Sequence, residues 1–234
     1  MLTRDDKHLD KVICNAVAKR NAVDSAKHKP SGKLSASRLN DPVQWQILHT
    51  LATDQDEIDD YTLRKFLRGK QVEDWYVSEI HPIETQKFVE YRNCVGYIDA
   101  IVDTKDWDFP SGVIPLEIKS TSNAKFKRIV KQGADKGHIL QAGFYAICLK
   151  SDRFAVSYVA TDDYRIKTFL FETKDVRDEI DQIITTFNDA KKVGTIPVFV
   201  AREKWQSNPD YNRYFNFIEL DEKQLAIEYK LITQ

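Results

Sequence analysis

Two neighbouring apolar segments, Val95–Asp103 and Val113–Ser120, are each broken by charge, and they constrain this chain more than anything else in it. Both are rich in β-branched residues, which marks them as strands buried in a sheet. Alternation along the first predicts Tyr97, Asp99 and Ile101 on one face, with Ile98, Ala100 and Val102 on the other. In the second, Glu117 and Lys119 share a face while Leu116 and Ile118 take the opposite one. Unpaired charge in such surroundings is costly, so these three groups need a joint reason to be there. An ordinary salt bridge from Lys119 to Glu117 or Asp99 is the simpler account. A hard divalent cation is the other: magnesium, or manganese in its place, prefers oxygen ligands and is satisfied by one or two carboxylates plus phosphate oxygens. A lysine beside it can orient a water or offset charge developing on a phosphate.

The rest of the chain fits an α/β architecture with a mixed sheet. Upstream, residues 5–20 read as a short helix, 21–33 as a linker, and Ser35 or Ser37 as the cap of a helix running through Trp45 to Leu51. A longer helix is expected from about Glu57 to Ile80, with Tyr61, Phe66, Leu67, Val72, Trp75 and Tyr76 as its apolar contacts. Gly69 either ends that helix or marks a close packing partner. Thr85–Tyr91 adds a strand before the charged pair, and residues 106–112 read as a turn-rich connection within it. Helical spacing returns over residues 137–150, a hairpin over 154–160 and 164–172, and an amphipathic helix over 175–192. The aromatic C-terminal segment, with Trp205, Tyr211, Tyr214, Phe215 and Phe217, predicts packed structure ending in a helix near residues 222–231.

Composition narrows the chemistry by exclusion. Cys14, Cys94 and Cys148 lie far apart with no C-x-x-C pair, and the histidines at positions 8, 28, 49, 81 and 138 lack zinc-protease spacing, so a zinc site is not expected. No apolar run reaches membrane-spanning length and the first ten residues are charged, which together predict a cytoplasmic protein that does not enter a membrane. Net charge is -1, so overall electrostatics gives nucleic-acid binding no support. Locally it does: Lys119, Lys125, Lys127, Arg128, Lys131 and Lys136 are opposed between residues 118 and 138 only by Asp135. A solvated charged loop accounts for that segment equally well.

In chain order, Gly96-Tyr97-Ile98-Asp99, Glu117-Ile118-Lys119 and Gln141-Ala142-Gly143-Phe144-Tyr145 resemble the G-x-x-D, (D/E)-x-K and Q-x-x-x-Y motifs of the PD-(D/E)XK nuclease superfamily, in its RecB-like exonuclease branch. E-x-K alone is common; the three together, on strand, strand and helix, are specific. The resemblance spans about residues 69–172 and implies a restriction-endonuclease-like core over 69–234, with residues 1–68 as a helical segment packed on it. It implies Asp99 and Glu117 as metal ligands, the Ile118 carbonyl facing the metal, and Lys119 as the catalytic lysine. Gln141 and Tyr145, one helical turn apart, would position lysine, water or DNA. Glu73 stands where many relatives carry histidine and is a further candidate ligand; Ser37 and Arg38 resemble a serine-arginine segment that contacts phosphate. Relatives with an iron-sulfur cluster carry three cysteines after the core, whereas this chain has none after Cys148, so no cluster is expected.

The expectation is a magnesium-dependent deoxyribonuclease, an exonuclease of recombination, repair or viral DNA processing, with Lys125, Lys127, Arg128 and Lys131 guiding the strand by phosphate contacts. A restriction-type endonuclease on the same scaffold and a catalytically silent DNA-binding module remain the alternatives. Oligomeric state is left open.

Overall fold

The computed structural model describes residues 31–51, 60–105, 111–209 and 214–233. The helix expected over residues 5–20 and most of the linker after it lie outside these, as does most of the connection at 106–112. The elements are β1 (Leu34–Ser35), a 3-10 turn (Ala36–Arg38), α1 (Val43–Leu51), α2 (Asp60–Ile80), β2 (Glu84–Tyr91), β3 (Cys94–Asp103) and β4 (Val113–Thr121). There follow α3 (Asn123–Gln132), α4 (Lys136–Leu149), β5 (Arg153–Ala160), β6 (Ile166–Glu172), α5 (Lys174–Val193) and α6 (Glu222–Thr233).

The strands form one mixed six-stranded sheet. Antiparallel β2 follows β3 along one edge, from Cys94 to Ile101, so β1 and β4 must share the other edge. They leave part of it open: parallel β1 pairs with Cys94 and Val95, antiparallel β4 with Ala100 to Asp103, and Gly96–Asp99 lies between them. β4 meanwhile pairs in parallel with β5 from Leu116 to Thr121, and the β5–β6 hairpin closes the far side. The sheet is therefore continuous except for a notch in the middle of β3.

Both faces are covered, as the near-continuous apolar content of β5 requires. On one face Val72 and Tyr76 of α2 pack on Ala100, Val102, Ile114, Leu116 and Ile118. On the other, Phe144 and Tyr145 of α4 and Ile180, Ile184 and Phe187 of α5 pack on Ile98 and Ile101. A satellite core joins Trp45 and Leu48 of α1 to Ile196, Tyr214 and Leu225, with Trp45 stacked on Phe199 at 5.9 Å, so Tyr214 and Phe217 of the aromatic C-terminal segment are packed as expected, whereas Trp205 is 46% exposed and Tyr211 lies outside the described residues.

Several expectations change. Strict alternation along β3 fails: Ile98 and Ile101 enter the same core, while Ala100 and Val102 enter the opposite one. The cause lies across the ladder, where Gln86 faces Asp99 between the Thr85–Ala100 and Lys87–Ile98 pairs and takes a left-handed φ of 50°. Such a residue breaks the pleat, so side chains on either side of it swap faces. Ser35 and Ser37 cap no helix; their hydroxyls lie 2.9 Å apart, and α1 begins at Val43 behind Pro42, which is pre-set for a first turn. α2 runs unbroken through Gly69, where an added Cβ would lie 3.4 Å from Ser120 Oγ; close packing explains that glycine. Tyr61 and Phe66 are not core contacts but are 61% and 57% exposed. The basic segment is no loop: residues 123–132 form α3, capped by Ser122 and anchored by buried Phe126 and Ile129.

Candidate active site

The notch brings the charged trio together. Because β4 stops pairing with β3 at Leu116, the Ile118 N–H has no strand partner there and donates instead to Asp99 Oδ2 at 2.8 Å. The Asp99 carboxylate thus spans the opening and ties the two diverging strands. Glu117, on the α4 face of β4, is fully buried, and Lys119 follows it on the same face with its ammonium in ion-pair contact with Glu117 Oε1. That contact is not an aligned hydrogen bond: both Glu117 oxygens are sealed from solvent and accept no hydrogen bond from the described residues.

Electrostatics follows from that burial. Burial pushes the Glu117 carboxyl up to about 8 against the pull of Lys119, and the Asp99 charge adds to the rise. Burial also raises Asp99, by more than Lys119 and the Ile118 N–H lower it. For Lys119 burial works downward, but Glu117 and Asp99 outweigh it and raise its pKa. Burial thus disfavours the charged carboxylates here, and the Lys119 ammonium only partly offsets that cost.

This donor set fits a hard cation. Two carboxylates converge, one with both oxygens buried and unbonded, and an oxygen-only environment suits magnesium, which needs few protein ligands. Among the described residues no three His, Cys, Asp or Glu side chains cluster closely enough to form a metal site alone. Glu73 lies near enough for its charge to bear on Asp99, Glu117 and Lys119, but its Oε1 is engaged by Gln86 at 2.6 Å and by Lys70 at 3.5 Å.

Helix α4 closes the site from above. Gln141 Nε2 donates to Tyr145 Oη at 3.0 Å, both side chains are buried, and burial together with the Glu117 charge raises the Tyr145 pKa. Gly96 makes this possible, since a Cβ there would stand 2.7 Å from Tyr145 Cε1 and 2.9 Å from Ala36 Cβ. The glycine of G-x-x-D is thus the floor on which Tyr145 rests.

The basic candidates divide. Ser37, Lys125 and Arg128 line one cavity of about 620 Å³ with Lys136, His138 and Trp205, at the amino end of α4. Lys125 and Arg128 both pair with Asp135 at 2.7 Å. Lys127 and Lys131 are exposed elsewhere on α3, and Arg38 is paired with Asp41 at 2.9 Å, so these three do not line the cavity. Sequence reasoning missed His138, set aside as one of the scattered histidines; it stands three residues before Gln141 on the inward side of α4, and that spacing was the available signal. Cys94 and Cys148 are free thiols, Cys94 buried. No helix among the described residues is long and apolar enough to cross a membrane.

No protein-family model matches the chain, and no curated protein matches it in sequence. Its structure is similar to that of LHK-Exo in complex with dAMP, with a TM-score of 0.52 and 18% identity over 69% of this chain and 89% of that one. The alkaline exonuclease LHK-Exo from Laribacter hongkongensis also aligns without that complex, at TM-score 0.48 and 17% identity over 70% of this chain and 90% of that one. The chain shares with LHK-Exo its α/β fold, a mixed sheet flanked by helices.

Proposed function

We propose that this protein is a metal-dependent deoxyribonuclease that hydrolyses phosphodiester bonds, acting as an exonuclease. The observation that carries the reading is the fully buried Glu117 carboxylate, unbonded by hydrogen, converging with Asp99 and Lys119 where the sheet opens. Asp99, Glu117 and the Ile118 carbonyl hold magnesium, or manganese, with Glu73 as a further carboxylate close by. When bound, the cation would supply Lewis-acid charge at the phosphate and make a nearby water more acidic. Lys119 then donates to the phosphate oxygens as negative charge develops on them. Tyr145, held by Gln141 over Gly96, confines the attacking side of the site and excludes bulk solvent. The strand enters along the cavity lined by Ser37, Lys125 and Arg128, with Arg38, Lys127 and Lys131 as outlying phosphate contacts that set register without reading sequence. The likeness to a protein described as an alkaline exonuclease, and seen with dAMP, supports action from DNA ends, and recombination, repair or viral DNA processing is the setting we propose for it.

The test is purified protein with end-labelled linear DNA and covalently closed circles, with magnesium, manganese or chelator. Degradation of the linear form alone, dependent on the cation and abolished in Lys119→Ala at undiminished DNA affinity, is the expected result. Cutting of closed circles at defined sites would replace the exonuclease with a restriction-type endonuclease. A folded wild type that binds DNA and never cleaves it would leave a silent binding module.

A further inference from the structure

Beyond the carboxylates and Lys119, a second arrangement adjoins the site. His138 and Tyr158 come from α4 and β5, and Tyr158 sits in register beside Lys119 on the β4–β5 ladder. His138 Nδ1 lies 2.8 Å from Tyr158 Oη, and the same oxygen accepts the Asp135 backbone N–H at 2.9 Å. Tyr158 is fully buried, so its own hydroxyl hydrogen needs an acceptor, and His138 Nδ1 is the one within reach. That bond fixes the tautomer: Nδ1 accepts and the ring hydrogen is carried on Nε2.

Nε2 has no partner among the described residues, and His138 lines the cavity of about 620 Å³ together with Ser37, Lys125 and Arg128. Burial, reinforced by Lys119, Lys125 and Arg128, pushes the His138 pKa down to about 3 against the pull of the Asp135 carboxylate 3.9 Å from Nδ1, which favours the neutral ring. Lys125 and Arg128 share the Asp135 carboxylate, and Asp41, Glu203 and Lys136 also line the cavity, so its cations lie beside the ring while the lining as a whole is balanced in charge. A ring whose Nδ1 is spent on Tyr158, with its other N–H free at a cavity wall that also carries Lys125 and Arg128, suits an anionic oxygen ligand.

We propose that His138 contacts a backbone phosphate of the nucleic-acid strand through Nε2–H, in the cavity beside Lys119, and that Tyr158 is the positioning residue that aims it. The assignment rests on the nuclease reading above and gives that site a neutral phosphate-binding residue, distinct from its metal ligands and its lysine.

The experiment measures binding with chelator present, using a short single-stranded oligonucleotide and a series in which one methylphosphonate is moved stepwise along the strand. For the wild type, one position in the series should cost roughly tenfold in affinity, the scale of a hydrogen bond to a charged oxygen. His138→Ala should lose about the same on the unmodified strand and become indifferent to that position. His138→Gln, which keeps an N–H donor at similar reach, should restore most of the affinity. Tyr158→Phe should lose part of it while ¹⁵N spectra show the His138 ring passing from one tautomer to a mixture. Equal losses in wild type and His138→Ala at every methylphosphonate position would overturn the assignment. A wild type that binds and cleaves DNA while His138→Ala keeps full affinity would overturn this inference alone; a wild type that binds no oligonucleotide would overturn the nuclease reading with it.

Discussion

The two edges of β4 are built to opposite purposes. Toward β5 the strand is bonded residue for residue from Leu116 to Thr121, through Glu117 and Lys119. Toward β3 the ladder ends at Leu116, and a side-chain carboxylate replaces the missing backbone partner. The closed edge also spends its polar groups on one another: buried Ser157 Oγ meets Tyr76 Oη at 2.9 Å and Thr168 Oγ1 at 2.5 Å. On the open side the two Glu117 oxygens are answered only by the ion-pair contact of Lys119. Reactive groups here are held firm from one side and left unsatisfied on the other, which lets a buried carboxylate persist without a protein hydrogen bond.

The largest expected effect falls on the open edge. Glu117→Gln should reduce cleavage by on the order of a thousandfold, because it removes an anionic ligand and the charge that centres Lys119. The same change should make the metal-free protein easier to keep folded. Glu117 holds its proton more tightly in the folded chain than in the unfolded one, so with chelator the wild type should lose stability as pH rises from about 4.5 to about 8, and the variant should lack that slope. Melting curves across that range check it, and added magnesium should raise Tm in the wild type but not in Glu117→Gln.

Next comes the floor of the notch. Gly96→Ala places a methyl 2.7 Å from Tyr145 Cε1 and should cost about 1–3 kcal/mol, with a loss of cleavage from displaced Tyr145. Denaturant unfolding and kcat measured together would show both; an unchanged kcat would detach Tyr145 from the chemistry. On the closed edge the two readouts should separate. Ser157→Ala leaves the Tyr76 hydroxyl buried with a lost partner and should cost about 1–2 kcal/mol in stability while cleavage stays near wild type. The smallest change is at the pleat break: Gln86→Val disfavours the left-handed backbone by roughly 1 kcal/mol and should lower cleavage slightly by re-aiming Asp99.

Much of this was legible in the sequence because the strands around the notch are long, β-branched and interrupted by charge. β2, β3, β4, α4, the β5–β6 hairpin and α5 fall within a few residues of where periodicity places them. The convergence of Asp99, Glu117 and Lys119 was readable from order and spacing. The face swap at Asp99 was not, since it depends on the backbone of Gln86, a residue whose type gives no hint of a positive φ. α3 was hidden because only Phe126 and Ile129 bury a side chain among its many charges, too few for an apolar stripe to show. His138 was hidden for another reason: its partner Tyr158 lies twenty residues away on a different element, and only the fold makes them neighbours.

The Lys119–Glu117 contact has a consequence for how such a site survives between turnovers. An ammonium already seated on the buried carboxylate acts as a built-in placeholder, so the strand does not depend on cation supply to tolerate its own charge. A cation taken up here would have to compete with that ion pair for the Glu117 carboxylate.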